Sequence, residues 1–254
     1  MRDDIKIRHT FKKALAFTLA ETLIVMGIIG VVAALTIPNL NSSTAEKEKV
    51  AKVKKVYAQL NEAMTRAIAV YGPIDEWSTD NDKYTVVGIR RTGDRLTEFM
   101  KLSKNCEMST DKGCFSNGQK LDGFNDLNLD AANYAYKFIL ADGTSIAITA
   151  VMGSRDYFVK IDGPKSKIVN GKNLFWLSQN GAGAEGTLLE DIIPIEKHSE
   201  KIGDHDTVEL CLSAHIACVS WVLDYDNMDY LKADENGKCP NGKILDGTTN
   251  TSCK

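Results

Sequence analysis

The 254-residue chain carries none of the short signatures that mark the commonest catalytic centres. HExxH, GxSxG and the phosphate-cradling glycine loop are all missing. That removes the direct signs of zinc-protease, serine-hydrolase and nucleotide-phosphate chemistry, although a triad gathered from distant positions would leave no such local sign. There is no CxxC pair, so the spacing of a structural zinc site is missing too. Basic excess is also lacking: 31 Lys and Arg stand against 34 Asp and Glu, a net charge of −3. The first sixteen residues hold Arg2, Lys6, Arg8, Lys12 and Lys13 against Asp3 and Asp4. Without them 26 basic and 32 acidic residues are left, a net of −6. A chain of that sign has no global attraction for nucleic acid, and no nucleic-acid partner is expected.

Histidine is scarce, with only His9, His198, His205 and His215. His198 and His205 lie among Glu196, Glu200, Asp204 and Asp206, which reads as a solvated acidic loop. Asp224–Asp229 (DYDNMD) begins like a calcium loop. Met228 and Asp229 stand where the third oxygen ligand and the required glycine belong, so an EF-hand is rejected. No enzyme activity, metal or cofactor is expected; calcium held by other acidic loops is the one exception left open.

A long apolar run is present. Phe17–Ile37 (FTLAETLIVMGIIGVVAALTI) is 21 residues with Glu21 as its lone charge. As a helix it spans about 31 Å, the thickness of a bilayer core. A secretory signal peptide has a shorter apolar region ending in small residues. A plain membrane anchor fits the length but does not explain Glu21. A carboxylate at mid-membrane costs roughly 2.5–3.5 kcal/mol, so an acid in such a run needs a function and a partner.

Ala16–Leu40 (AFTLAETLIVMGIIGVVAALTIPNL) resembles the N-terminal motif of type IV prepilins and type II secretion pseudopilins. The resemblance implies that residues 1–16 are a basic leader, cut after Ala16 by a prepilin peptidase that then methylates Phe17. Glu21 becomes the fifth mature residue, the position of the family's glutamate. Pro38 falls where the family has a helix-bending proline. Ala16 departs from the glycine usual before the cut. The implied function is that of a structural subunit, pilin or pseudopilin, of a type IV filament system. It would be polymerised for type II protein secretion or as a surface pilus. The implied partners are the prepilin peptidase, other pilin or pseudopilin subunits, an inner-membrane assembly platform and membrane lipid. The implied location is the bacterial inner membrane in a single pass, with the globular domain in the periplasm. Assembly would then carry it into a periplasmic pseudopilus or an extracellular filament. Cleavage would free an α-amine at Phe17 that is largely protonated near neutrality. Leaving it or a neighbour's Glu21 unpaired in an apolar filament core would cost roughly 3–5 kcal/mol, enough to select one register. A membrane-tethered adhesin or ligand-binding module, using the helix only as an anchor, is the alternative from another class. A tethered periplasmic enzyme is a third.

Residues 17–40 therefore read as a transmembrane and assembly helix, and 41–71 as an amphipathic stalk. Val50, Val53, Tyr57, Leu60, Met64, Ala67 and Tyr71 recur at spacings of three and four. Gly72-Pro73 stops the stripe. Asn39–Thr44 is a polar interruption, with Ser43 or Thr44 as a restart cap. Lys47, Lys49, Lys52, Lys54 and Lys55 read as a solvated helix face, or as a grip on lipid headgroups or a translocating polymer.

Residues 72–254 read as the globular domain. A helical piece is expected at Arg95–Leu102 and a hairpin at Tyr134–Leu140 and Ser145–Ala150 around Asp142-Gly143. Asp156–Ile161, Asn173–Leu177 and Cys218–Leu223 are further strand candidates, and Gly181–Gly186 is a loop. The expected fold is α+β and pilin-like: a long N-terminal helix, its first half transmembrane, packed on an antiparallel sheet. Cysteines at 106, 114, 211, 218, 239 and 253 are even in number and adjacent in pairs, which favours disulfides and an oxidising compartment. Many pairings are open; adjacency favours Cys106–Cys114, Cys211–Cys218 and Cys239–Cys253, the last closing a C-terminal loop.

Overall fold

A computed structural model describes residues 19–78, 85–110, 113–115, 129, 134–151, 154–179, 191–194, 201–202 and 205–254. The leader, Ala16, Phe17 and the Gly181–Gly186 loop lie outside the described residues. The chain divides into two compact units, Met1–Ala45 and Glu46–Lys254.

Helix α1 runs from Leu19 to Tyr71, 53 residues. It passes through Pro38 and the polar Asn39–Thr44 stretch without a break, so the expected restart at Ser43 or Thr44 is not found. The residues that follow, Ala45 to Lys49, are good helix formers that carry the helix on. Gly72 ends it: its φ of 77° is left-handed backbone, and its N–H donates to Ile68 O at 2.9 Å.

The second unit contains a six-stranded antiparallel sheet in the order β1 to β6. The strands are β1 (Leu102–Glu107), β2 (Tyr136–Leu140), β3 (Ser145–Val151), β4 (Ser154–Lys160), β5 (Leu174–Gln179) and β6 (Ile193–Pro194). The architecture is thus α+β with an antiparallel sheet, and the hairpin closes at Asp142-Gly143. One face, including Tyr136, Phe138, Ile146, Ile148, Tyr157, Val159, Phe175 and Leu177, joins a core with Val50, Val53, Val56, Leu60, Met64 and Ala67 of α1. Val56 and Ala63 belong to that buried stripe, whereas Tyr57 and Tyr71 are only half-buried. The other face, with Ile139, Ala147, Phe158 and Trp176, packs on Phe115, Ile168, Ala217 and the Cys106–Cys114 pair. Burial on both faces explains why Leu174–Leu177 is continuously apolar and does not alternate. The sheet edges are blunted, β1 by register shifts and β6 by its brevity and Pro194.

Helix α2 is Val86–Thr97, capped by Thr85. The piece expected at Arg95–Leu102 therefore starts earlier, and Leu102 opens β1 instead. Gly93 lets α2 approach the sheet: a Cβ there would lie 2.2 Å from Tyr136 Cγ. Helix α3 is Thr207–Ala214 and α4 is Val219–Tyr225. The expected strand at Cys218–Leu223 is thus a helix. Val219, Trp221 and Val222 are buried in the core that faces α1. The disulfide Cys211–Cys218 ties α3 to the residue before α4. The other bonds are Cys106–Cys114 and Cys239–Cys253, so all three pairs are local.

Candidate functional site

The first candidate is the start of α1. Leu19, Leu23, Ile24, Val25, Met26, Ile28, Ile29, Val31 and Val32 are all more than half exposed. Consecutive positions 23–26 point to every side of a helix, so no polar face is left. Glu21 is exposed on the first turn, and Thr22 Oγ1 donates to Leu19 O at 2.9 Å. Among the described residues no single helix is long and apolar enough to cross a membrane. Leu19–Val32 is a shorter apolar stretch, about 21 Å of helix. The expected span Phe17–Ile37 is therefore described over part of its length only. Pro38 lies within α1.

The second candidate is the lysine run on the stalk, and three of its members are docked. Lys54 Nζ lies 2.5 Å from Asp226 Oδ1, and Lys55 Nζ lies 2.9 Å from Asp142 Oδ2. Lys52 Nζ donates to Asp142 O at 3.3 Å. These three pair with acidic turns of their own domain from a partly solvated face: Lys55 stays exposed, and Lys52 and Lys54 are half-buried. Asp142 is partly buried, which by itself would raise its pKa. Hydrogen bonds from Lys55 and Thr144 outweigh that and hold it below the usual carboxylate range.

The third candidate is Asn227–Tyr230, where four parts of the chain meet. Asn227 Oδ1 accepts from Trp221 Nε1 at 3.1 Å and from Asp229 N at 2.9 Å. Its Nδ2 donates to Thr251 O at 3.1 Å. Met228 N donates to Glu46 Oε1 of α1 at 3.2 Å. Tyr230 OH donates to Gly171 O at 2.6 Å. Asp229 is fully buried; its Oδ2 accepts from Ser252 Oγ at 2.6 Å and from Cys253 N at 2.9 Å. Its Oδ1 accepts from Lys232, whose Nζ also pairs with Glu46 Oε2 at 2.9 Å. Burial would raise the Asp229 pKa, but Lys232, Ser252 and the Cys253 N–H together hold it low. No periodicity marks this knot; its one sequence sign is the density of Asn and Asp beside buried aromatics.

Two carboxylates of DYDNMD are engaged within the chain: Asp226 with Lys54, and Asp229 with the C-terminal tail. Among the described residues no group of three or more His, Cys, Asp or Glu is placed to hold a metal. His198 lies outside the described residues, as does the side chain of His205. An acidic groove is lined by Asp206, Glu209, Glu235 and Asp246. Asp246 is already saturated by Thr248, Thr249 and Asn250, and Asp206 caps α3.

The chain matches no family model, no curated protein and no solved structure.

Proposed function

We propose that the chain is a structural subunit of a type IV filament system, a pilin or pseudopilin held in the membrane by the start of α1. One observation carries the reading. Leu19–Val32 is helical, apolar on all faces and exposed, with Glu21 as its lone charge. A water-facing helix keeps a polar side, so this one calls for lipid or like helices around it. Covering nine such side chains is worth on the order of 10 kcal/mol.

Two features support the reading. The stalk half of α1 buries one stripe against an antiparallel sheet, which gives a rigid body at the end of the apolar segment. Three disulfides among the described cysteines suit an oxidising compartment outside the cytoplasm. In this reading a prepilin peptidase cuts between Ala16 and Phe17, and Glu21 meets the new α-amine of a neighbouring subunit. Pro38 would bend the helix between its two halves.

Membrane fractionation with in-cell cross-linking tests it. The full chain, co-expressed with a filament assembly system, should resist alkaline extraction and yield ladders of cross-linked subunits. Glu21→Ala should stay in the membrane but lose the ladder. A wild-type chain recovered wholly in the soluble fraction would overturn the reading.

A further inference from the structure

We propose that Cys239–Cys253 is the selectively reducible disulfide of the three, and that it acts as a clasp setting how firmly the C-terminal segment holds α1 at Glu46. Cys106, Cys114, Cys211 and Cys218 are each at most 2% exposed. Cys253 alone is partly open to solvent, and its partner Cys239 is buried. Thiol–disulfide exchange needs an attacking thiolate to reach sulfur, so access ranks the bonds.

The exchange runs as follows. One thiolate of a dithiol reductant attacks Sγ of Cys253 and expels the Cys239 thiolate, which takes a proton. The second thiol of the reductant then attacks the mixed disulfide and releases Cys253 as a thiol. The reductant leaves as its own disulfide, having supplied two electrons, and both cysteines end as thiols.

The consequence follows the hydrogen bonds. The tail at Ser252 and Cys253 supplies two of the donors to the buried carboxylate of Asp229. Asn227 holds the same tail through Thr251 O. Asp229 also engages Lys232, and Lys232 pairs with Glu46, beside which Met228 N binds the same carboxylate. Opening the bond frees the tail and strips Asp229 of two donors. A buried carboxylate losing donors draws in water, and the 3-10 turn Asp229–Leu231 loosens with it. Glu46 is the first residue of the second compact unit, so the loosened contact lies where α1 enters the domain. The clasp is independent of whether the chain forms filaments.

The test is a graded reduction of the full oxidised chain with dithiothreitol, trapped with N-ethylmaleimide and read by mass spectrometry, with hydrogen exchange on the partly reduced sample. Cys239 and Cys253 should label roughly tenfold faster than the other four, because access controls the rate. Exchange over residues 44–50 and 228–232 should rise at that stage. Lys232→Met, which keeps both cysteines, should raise exchange over 44–50 in the oxidised state and gain little more on reduction. The three bonds opening together, or the clasp opening with residues 44–50 unchanged, would overturn the proposal.

Discussion

Asn61 on α1 and Ile192 beside β6, 131 residues apart, exchange two hydrogen bonds: Asn61 Nδ2 donates to Ile192 O at 2.9 Å, and Ile192 N donates to Asn61 Oδ1 at 3.0 Å. The helix side chain thus serves the backbone as a neighbouring strand would, at the edge where the sheet ends. Ile192 is fully buried, so its two backbone groups have no ready alternative. Asn61→Ala should lower stability by about 1–3 kcal/mol, since a buried donor and acceptor are both left unmade. Asn61→Asp should be at least as damaging, because a carboxylate would face the Ile192 carbonyl. Chemical denaturation of the full chain in detergent reads both.

Gly93 makes a second, sharper prediction. A methyl group at this position would sit inside the Tyr136 ring, whose atoms Cγ, Cδ1 and Cδ2 all lie within 2.5 Å of it. Tyr136 is buried and packed edge-on to Phe138, so the ring has little room to retreat. Gly93→Ala should destabilise by about 1–3 kcal/mol through overpacking, although alanine is the better helix former. A midpoint unchanged from wild type would show that α2 can shift away from the sheet.

His215 supplies a pH dependence. Burial lowers its pKa from 6.5, and Tyr230 only partly opposes that shift. Its Nε2 is buried without a hydrogen-bond partner. Below pH 6.5 the unfolded chain takes up a proton that the folded chain resists. This contribution to stability is intact above that pH and falls as the pH drops towards the folded value. The wild-type melting temperature should therefore decline between about pH 7 and pH 5. His215→Asn should flatten the decline, and asparagine tolerates the left-handed φ of 56° found there. Equal slopes for the two proteins would remove His215 as the cause.

What could be read ahead of the structure follows from how much each element depends on its own side chains. The stalk stripe and the β2–β3 hairpin carry their period openly, at three-to-four and two-residue spacings around Gly72 and Asp142-Gly143. Helix α2 is hard to read because its buried side sets only two large apolar residues, Ile89 and Leu96, among the small Gly88, Thr92 and Gly93, which allow close approach. Helix α4 reads as a strand in the sequence because a short apolar run has no decisive period. Its helical state is set by tertiary context: Val219 and Trp221 reach the core, and the left-handed Asp226 closes the last turn. Local cysteine spacing suggested the disulfides, but nothing local linked Cys253 to Asp229, or Asp229 through Lys232 to Glu46. Such links join segments up to 182 residues apart, as Met228 and Glu46 are, and only folding brings them together.

If the apolar start of α1 is a processed assembly helix, the N-terminal peptide of the membrane-extracted protein carries the mark of that processing. Mass spectrometry after exposure to a prepilin peptidase should find a chain that begins at Phe17 and carries one N-methyl group. A mature membrane protein that still begins at Met1, with Ala16 and Phe17 joined, would rule out processing at this site.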